Sequence, residues 1–267
     1  MKYPISNLLS RSFFSILAFV FILSFQIYSQ ELNQKVTTLL TEGDTFAEET
    51  FENEKALEKY LETLKLDPQN YEALWKVSRS YVDIGEHLPS STDAEKIQQE
   101  QIYKKAYAYA DSAVIVNPNG SMGFTRRAIA NGRIALFKGI WDNVGLVKQT
   151  KADLEKAILL DPNNATAYYV FGRTHAKVSE KSKIVRWPLG LSWANQEDAI
   201  KNYEKSISLR PDFIMYRLDA SRAYVDMENY SKAREHLKTI EVLPTKDEDD
   251  DKFRGEAKTL LENIKNK

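Results

Sequence analysis

Small and bulky residues recur along this chain in one spacing that ends each time at a proline. The order is a small residue, three residues, a bulky position, two residues, a small residue, four residues, then proline. It occurs as Ala56, Tyr60, Thr63, Pro68; as Ala106, Ala110, Ala113, Pro118; as Thr150, Leu154, Ala157, Pro162; and as Ala199, Tyr203, Ser206, Pro211. Positions four and seven apart share one face of an α-helix, so each copy predicts a helix with a close-packing face. Runs such as LKLDP, VIVNP and SLRP end these helices, with the residue before proline pushed out of helical geometry and the proline opening the next helix.

A second helical pattern fills the space between the copies. After Pro68 it places Leu74, Val77, Ser78, Tyr81 and Gly85 at large, large, small, aromatic and turn positions. After Pro162 it places Tyr168, Phe171, Gly172 and His175, and after Pro211 it places Ala220, Ser221 and Tyr224. The stretch after Pro118 follows it less well, with Phe124 and Ala128 but Arg127 at an ordinarily apolar place. A further second helix carries Ala233 and Leu237, and a helix from about Lys252 to Ile264 closes the stack, as solenoids require. The pairs resemble tetratricopeptide repeats, with the proline-terminated segments as the second helices. The expected fold is all-α: a tetratricopeptide-like helical-repeat superhelix over residues 33–265, of about five helix pairs plus a C-terminal capping helix.

The ruler prolines are 50, 44 and 49 residues apart, against about 34 in a regular repeat of this kind. Long insertions therefore sit between paired helices, all on one rim of the stack. In the first, Thr92 followed by Glu95 forms a capping box that predicts a second helix starting near Asp93. The third, VSEKSKIVRWPLGLSWANQ, carries two of the four tryptophans.

Composition then narrows the chemistry. Of 267 residues only 10 are glycine and 8 proline, which suits helices joined by short turns. The absence of cysteine excludes disulfides, thiolate metal sites and lipid attachment at a leader. With 37 basic against 38 acidic residues there is no overall field of the kind a nucleic-acid binder carries. Lys2 and Arg11 precede an uncharged stretch, Ser12–Gln30, whose centre Phe13–Phe25 is almost wholly apolar. Residues 1–29 read as a signal peptide cleaved after Ser29, which makes the chain periplasmic or secreted; an uncleaved anchor helix is the competing reading.

No catalytic constellation is visible. His87, His175 and His236 fall in different repeats without metal-ligand spacing, the glycines form no phosphate loop, and there is no nucleophile elbow. The chain is read as a non-enzyme without cofactor or metal. Asn119, Asn164 and Asn229 match glycosylation acceptors; if the host is a bacterium, as the leader suggests, these are chance matches. The acidic run Lys246–Asp251 lacks calcium-loop spacing and reads as the acidic first turn of the capping helix.

The candidate ligand-binding residues are basic and aromatic. Arg126, Arg127, Arg133 and Lys138 lie on one first helix, with Arg126 and Arg133 seven apart on one face. Arg173 and Lys177 lie on the next, followed by Arg186, Trp187 and Trp193 in the insertion. Together they describe a positive concave groove suited to a carboxylate, an acidic peptide or an anionic headgroup; the opposing reading is a face balanced by neighbouring acids. Trp187 and Trp193 either anchor a partner or membrane interface, or pin the insertion to its scaffold.

Three stretches carry a more specific likeness: DPNNATAYYVFGR with the Pro188-Leu189-Gly190 segment behind it, EDAIKNYEKSISLRPDF, and LPTKDEDDDKFRGEAKTLLENI. With GRIALFKGIWDNVGLVKQTKADLEKA they resemble the regulator of microtubule dynamics family over roughly residues 35–265. Thr174 and His175 depart from the family's usual aromatic pair. The resemblance implies the helical-repeat fold and an adaptor or tether role; an exported protein would not meet the cytosolic microtubule. The function expected is a non-catalytic interaction scaffold holding a peptide or protein segment in its groove. The alternative is a carrier of an anionic lipid or small ligand.

Overall fold

A computed structural model describes residues 29–139 and 141–267. The expected leader lies, apart from Ser29, outside the described residues. Those residues form helices and connecting turns, with no strand among them. Helix α1 spans 29–48 and pairs with α2 (Asn53–Leu66). The next pairs are α3 (Tyr71–His87) with α4 (Asp93–Val116), and α5 (Ser121–Lys138) with α6 (Val144–Leu160). α7 (Ala165–Ser179) pairs with α9 (Gln196–Leu209), the short α8 (Lys183–Arg186) lying between them. α10 (Ile214–Asp226) pairs with α11 (Tyr230–Ile240), and α12 (Asp250–Asn263) covers the end. Helices α1, α3, α5, α7 and α10 form the inner layer of a tetratricopeptide-like superhelix.

The turns show how the prolines work. The side chains of Asp67, Asn117 and Asp161 each accept a hydrogen bond from the backbone N–H two residues on, bracketing the proline. Asn70 and Asn164 then cap the following helices by accepting from the N–H of Ala73 at 2.9 Å and of Ala167 at 3.0 Å. Each ruler proline therefore sits inside the turn, and the next helix starts three residues later instead of at the proline. Asn164 also donates to Ser121 Oγ and Thr125 Oγ1, which commits its amide to tying α7 to α5.

Packing within pairs rests on small residues meeting tyrosine. Ala56, Ala106, Ala110, Ala157 and Ala199 are fully buried, as are Tyr60 and Leu154. A Cβ on Gly172 would lie 2.8 Å from the Tyr203 ring, and one on Gly85 2.6 Å from the Tyr103 ring. Gly43 is related to Tyr60 in the same way. Gly85 therefore lies within α3, admitting Tyr103, and is not the turn residue that its position in the repeat suggested. The capping box at Thr92 and Glu95 is formed and starts α4 at Asp93.

The second and third insertions share one apolar cluster, which includes Trp141 and Leu191. Leu191 and Ala194 of the third pack with Ala135 of α5, Val147 of α6 and Val178 of α7. The superhelix closes on itself: Asn53 Nδ2 donates to Glu248 Oε1 at 2.7 Å, and His87 faces Glu248 and Asp249 at 3.5 and 3.7 Å. Residues nearly two hundred positions apart are thereby joined, and the inner layer surrounds a cavity.

Candidate functional site

The cavity has a volume of about 1020 Å³ and is lined mainly by α1, α3, α5, α7 and α10, with Lys246 and Asp247 from the closing segment. Arginines approach from four helices: Arg79 on α3, Arg126 and Arg133 on α5, Arg173 on α7 and Arg222 on α10. The seven-residue spacing of Arg126 and Arg133 accounts for their shared face, one helix turn being about 3.6 residues. Val82, Ile129, Val170, Phe213 and Met215 add apolar wall between them.

Acids compensate most of this charge, contrary to the positive groove expected. Eight cationic and ten acidic side chains line the cavity. Arg79 pairs with Glu48 at 2.7 Å and with Asp83 at 3.5 Å, and Arg133 pairs with Glu86. Asp219 takes Arg222 at 2.6 Å, Arg173 at 3.5 Å and the Tyr169 hydroxyl at 2.8 Å. Lys177 pairs with Glu180 at 2.9 Å. The carboxylates come largely from α1, α3 and the closing segment, none of which the basic stretches reveal. Burial pushes the Glu86 and Asp247 carboxyls above their ordinary values, which softens the acidic excess.

Two cavity arginines hold no carboxylate among the described residues: Arg210, exposed at the end of α9 with its guanidinium over the Phe213 ring at 4.5 Å, and the half-buried Arg126. No carboxylate of those residues lies within 4 Å of the Arg126 guanidinium, and its buried Nε has no hydrogen-bond partner. Its guanidinium stands over the Trp75 ring at 5.7 Å. Burial, then repulsion from Arg79, lower its pKa to about 10. Arg126 is half-buried and lines the cavity. An arginine carries five N–H donors in a planar fork, so an anion entering the cavity meets an unsatisfied bidentate donor.

The other expected groove residues stand elsewhere. Arg127 turns between α4 and α6, where it donates to Asp153 at 2.9 and 2.7 Å and to Asp111 at 2.7 Å. Lys138 pairs with Glu100 at 3.0 Å, away from the cavity. Arg186 is buried and donates to the carbonyls of Lys181, Leu191 and Ala194 at 2.8, 3.0 and 2.6 Å. Trp193 packs against His175 and Phe171, with ring centroids 5.0 and 6.3 Å away, and so pins the insertion to α7. Trp187 points outward, 73% exposed. The run at 246–251 does more than start α12. Asp250 accepts from the backbone N–H groups of Lys246 and Asp247, folding the closing segment, while Glu248 reaches Asn53.

The model of the family described as regulator of microtubule dynamics protein 1-3 matches residues 39–265. The chain belongs to this family. It is 25% identical to regulator of microtubule dynamics protein 3 of Xenopus laevis over 246 residues, which make up 89% of this chain and 51% of that protein. It is 24% identical to protein 1 of Mus musculus over 258 residues, 93% of this chain and 82% of that one. The chain thus spans about half the length of the Xenopus relative and most of the mouse one. Two solved structures share the fold. TTC0263, a thermophilic tetratricopeptide protein of Thermus thermophilus, has a TM-score of 0.63 at 18% identity, covering 85% of this chain and 98% of its own. Pseudomonas aeruginosa pilF has a TM-score of 0.53 at 11% identity, covering 88% and 93%. In this member of the family, the feature that stands out inside the shared fold is the uncompensated Arg126.

Proposed function

We propose that this family member is a non-catalytic scaffold that holds an extended protein or peptide segment in its cavity, with Arg126 pairing to a carboxylate of that segment. The lone guanidinium carries the reading. Arg79, Arg133, Arg173 and Arg222 already hold carboxylates and Arg210 is exposed, so a ligand carboxylate at Arg126 completes the inner set. Desolvated charge-assisted hydrogen bonds contribute roughly 1.5–3 kcal/mol, enough to make Arg126 the dominant polar anchor. The leader-like residues 1–29 support placing this activity outside the cytoplasm, where the partner differs from the microtubules that the relatives' names point to.

A second reading is favoured by the apolar wall at Val82, Ile129, Val170 and Met215. An anionic lipid or small amphipathic acid would set its charged end at Arg126 and its hydrocarbon against that wall. Native mass spectrometry of the full chain purified from its host distinguishes the two by the mass of the retained ligand. Retained peptide supports the scaffold, and retained lipid supports the carrier. Retention of the same ligand by Arg126→Met would remove Arg126 from either account.

A further inference from the structure

The third insertion places three large apolar side chains in water within four residues. Ile184 is 85% exposed, Trp187 73% and Val185 52%, and Pro188 beside them is exposed too. This tip is held rigidly. Arg186, on the inward side, donates to three carbonyls at the base of the insertion, and Leu191 and Ala194 are fully enclosed between α5, α6 and α7. Gly190 adopts a left-handed φ of 70° and donates its N–H to the Trp187 carbonyl, closing the turn in a conformation that a side chain would strain. With its base fixed in this way, the apolar tip has no local route back into the core.

Cations surround it. Lys181 and Lys183 are exposed on the same segment, and neither has a carboxylate within 4 Å among the described residues. The nearest acid in sequence, Glu180, is taken by Lys177. Lys148 of α6 comes alongside, close to Gly190. The tip therefore combines an indole, two aliphatic side chains and uncompensated lysines.

We propose that this tip is a docking point for an anionic membrane surface. Ile184 and Val185 would reach the acyl boundary, the indole would lie at the headgroup level that tryptophan favours, and the lysines would meet lipid phosphates. A protein partner is the poorer fit, because three protruding side chains fall short of the roughly 800 Å² per partner of a stable protein interface. The proposal does not depend on what fills the cavity, from which the tip is separate.

Because the apolar stretch Phe13–Phe25 is itself capable in sequence of partitioning into a bilayer, the test reads the tip locally. The full chain is titrated with vesicles of phosphatidylcholine, alone or mixed in equal parts with phosphatidylglycerol, that carry brominated acyl chains which quench tryptophan on contact. The expected result is a quenching increment in the mixed vesicles that is present in the wild type and absent in Trp187→Phe. In Lys181→Gln/Lys183→Gln the vesicle concentration needed for that increment should rise about 25-fold, since each surface lysine contributes roughly five-fold to partitioning. Circular dichroism of these surface variants should match the wild type. Equal quenching in the wild type and Trp187→Phe overturns the proposal. So does concentration-dependent self-association without lipid that Ile184→Asp abolishes, which would assign the tip to a second copy of the chain.

Discussion

Arg126 and Arg127 are consecutive on α5 and serve opposite sides of it. Arg126 opens its guanidinium into the cavity without a carboxylate, whereas Arg127 is clamped between Asp111 and Asp153 behind the inner layer. Asp153 is almost wholly buried and also accepts from Gln149 Nε2, so its charge depends on Arg127. Removing one partner of such a pair leaves a buried charge uncompensated and costs about 3–5 kcal/mol. Arg127→Met should lower the denaturation midpoint by an amount in that range. Arg126→Met removes an unpaired buried cation and should leave stability unchanged or raise it by about 1 kcal/mol. Urea titration of both variants checks the pair of outcomes; equal destabilisation would contradict the assignment of roles.

The glycine on α7 gives a second contrast. Gly172→Ala places a Cβ 2.8 Å from the Tyr203 ring and 3.0 Å from the Ala199 carbonyl, and the backbone atom has no room to yield. Overpacking of this kind costs about 1–3 kcal/mol. Gly255 on α12 meets nothing within 4 Å, so Gly255→Ala should stabilise by about 0.5–1 kcal/mol through helix propensity. Thermal melts of the two variants should move in opposite directions.

The closure between His87 and the Glu248–Asp249 segment is pH-dependent. Burial disfavours the charged ring of His87, but the Asp83 carbonyl, Glu248, Asp249 and Glu86 outweigh it and raise its pKa. Burial also raises the carboxyls of Glu248 and Asp247, against the attraction of His87 at Glu248. All three shifts mean that the closed form binds more protons than the open one. For His87 the stabilisation is fully present below its unfolded pKa near 6.5 and is lost as pH rises through its higher folded value. Protection factors against hydrogen exchange for residues 245–249, taken relative to the intrinsic rate at each pH, should be higher at about pH 6 than at about pH 8, on either side of that transition, and His87→Gln should remove most of the difference. Equal protection at both pH values would show that the closure does not depend on this pair.

Arg186 offers a further stability test. Arg186→Leu leaves three carbonyls at the base of the insertion without their donor, at about 1–3 kcal/mol for each group that water does not reach. The loss should be local. Trp193 emission should shift to the red as the indole leaves His175 and Phe171, while the closure at Asn53 and Glu248 keeps its exchange protection.

The helix pairs and the capping box were legible because each rests on local chemistry, a proline turn or a small-residue face. The starts of the inner helices after each proline were set three residues too early, because the proline sits inside a turn, which Asn70 and Asn164 cap after Pro68 and Pro162. The cavity was half legible. The helical period put Arg126 and Arg133 on one face, and the repeat register put Arg173 and Lys177 on the next inner helix. Arg79 and the acids of α1 and of residues 246–247 were missed as cavity residues because only the winding of the whole superhelix brings them together. Arg127 and Arg186 show the same limit from the other side. Sequence spacing gives the position of a long cation on a helix, and its partners decide whether it faces ligand, carboxylate or carbonyl. Gly85 was misplaced because the first insertion lengthens α4, so that Tyr103, one turn ahead of the repeat pattern, packs against it.

The central claim is that Arg126 anchors the carboxylate of a bound segment. Its most direct measurement is fluorescence polarisation of the full chain with a labelled mixed-sequence peptide library, made once with free carboxylates and once with every carboxylate amidated. Saturable binding of the free-acid library is predicted, weakened about 10- to 100-fold by amidation and equally by Arg126→Met, while folded Arg127→Met binds as the wild type does. Binding that is indifferent both to amidation and to Arg126→Met would contradict the account.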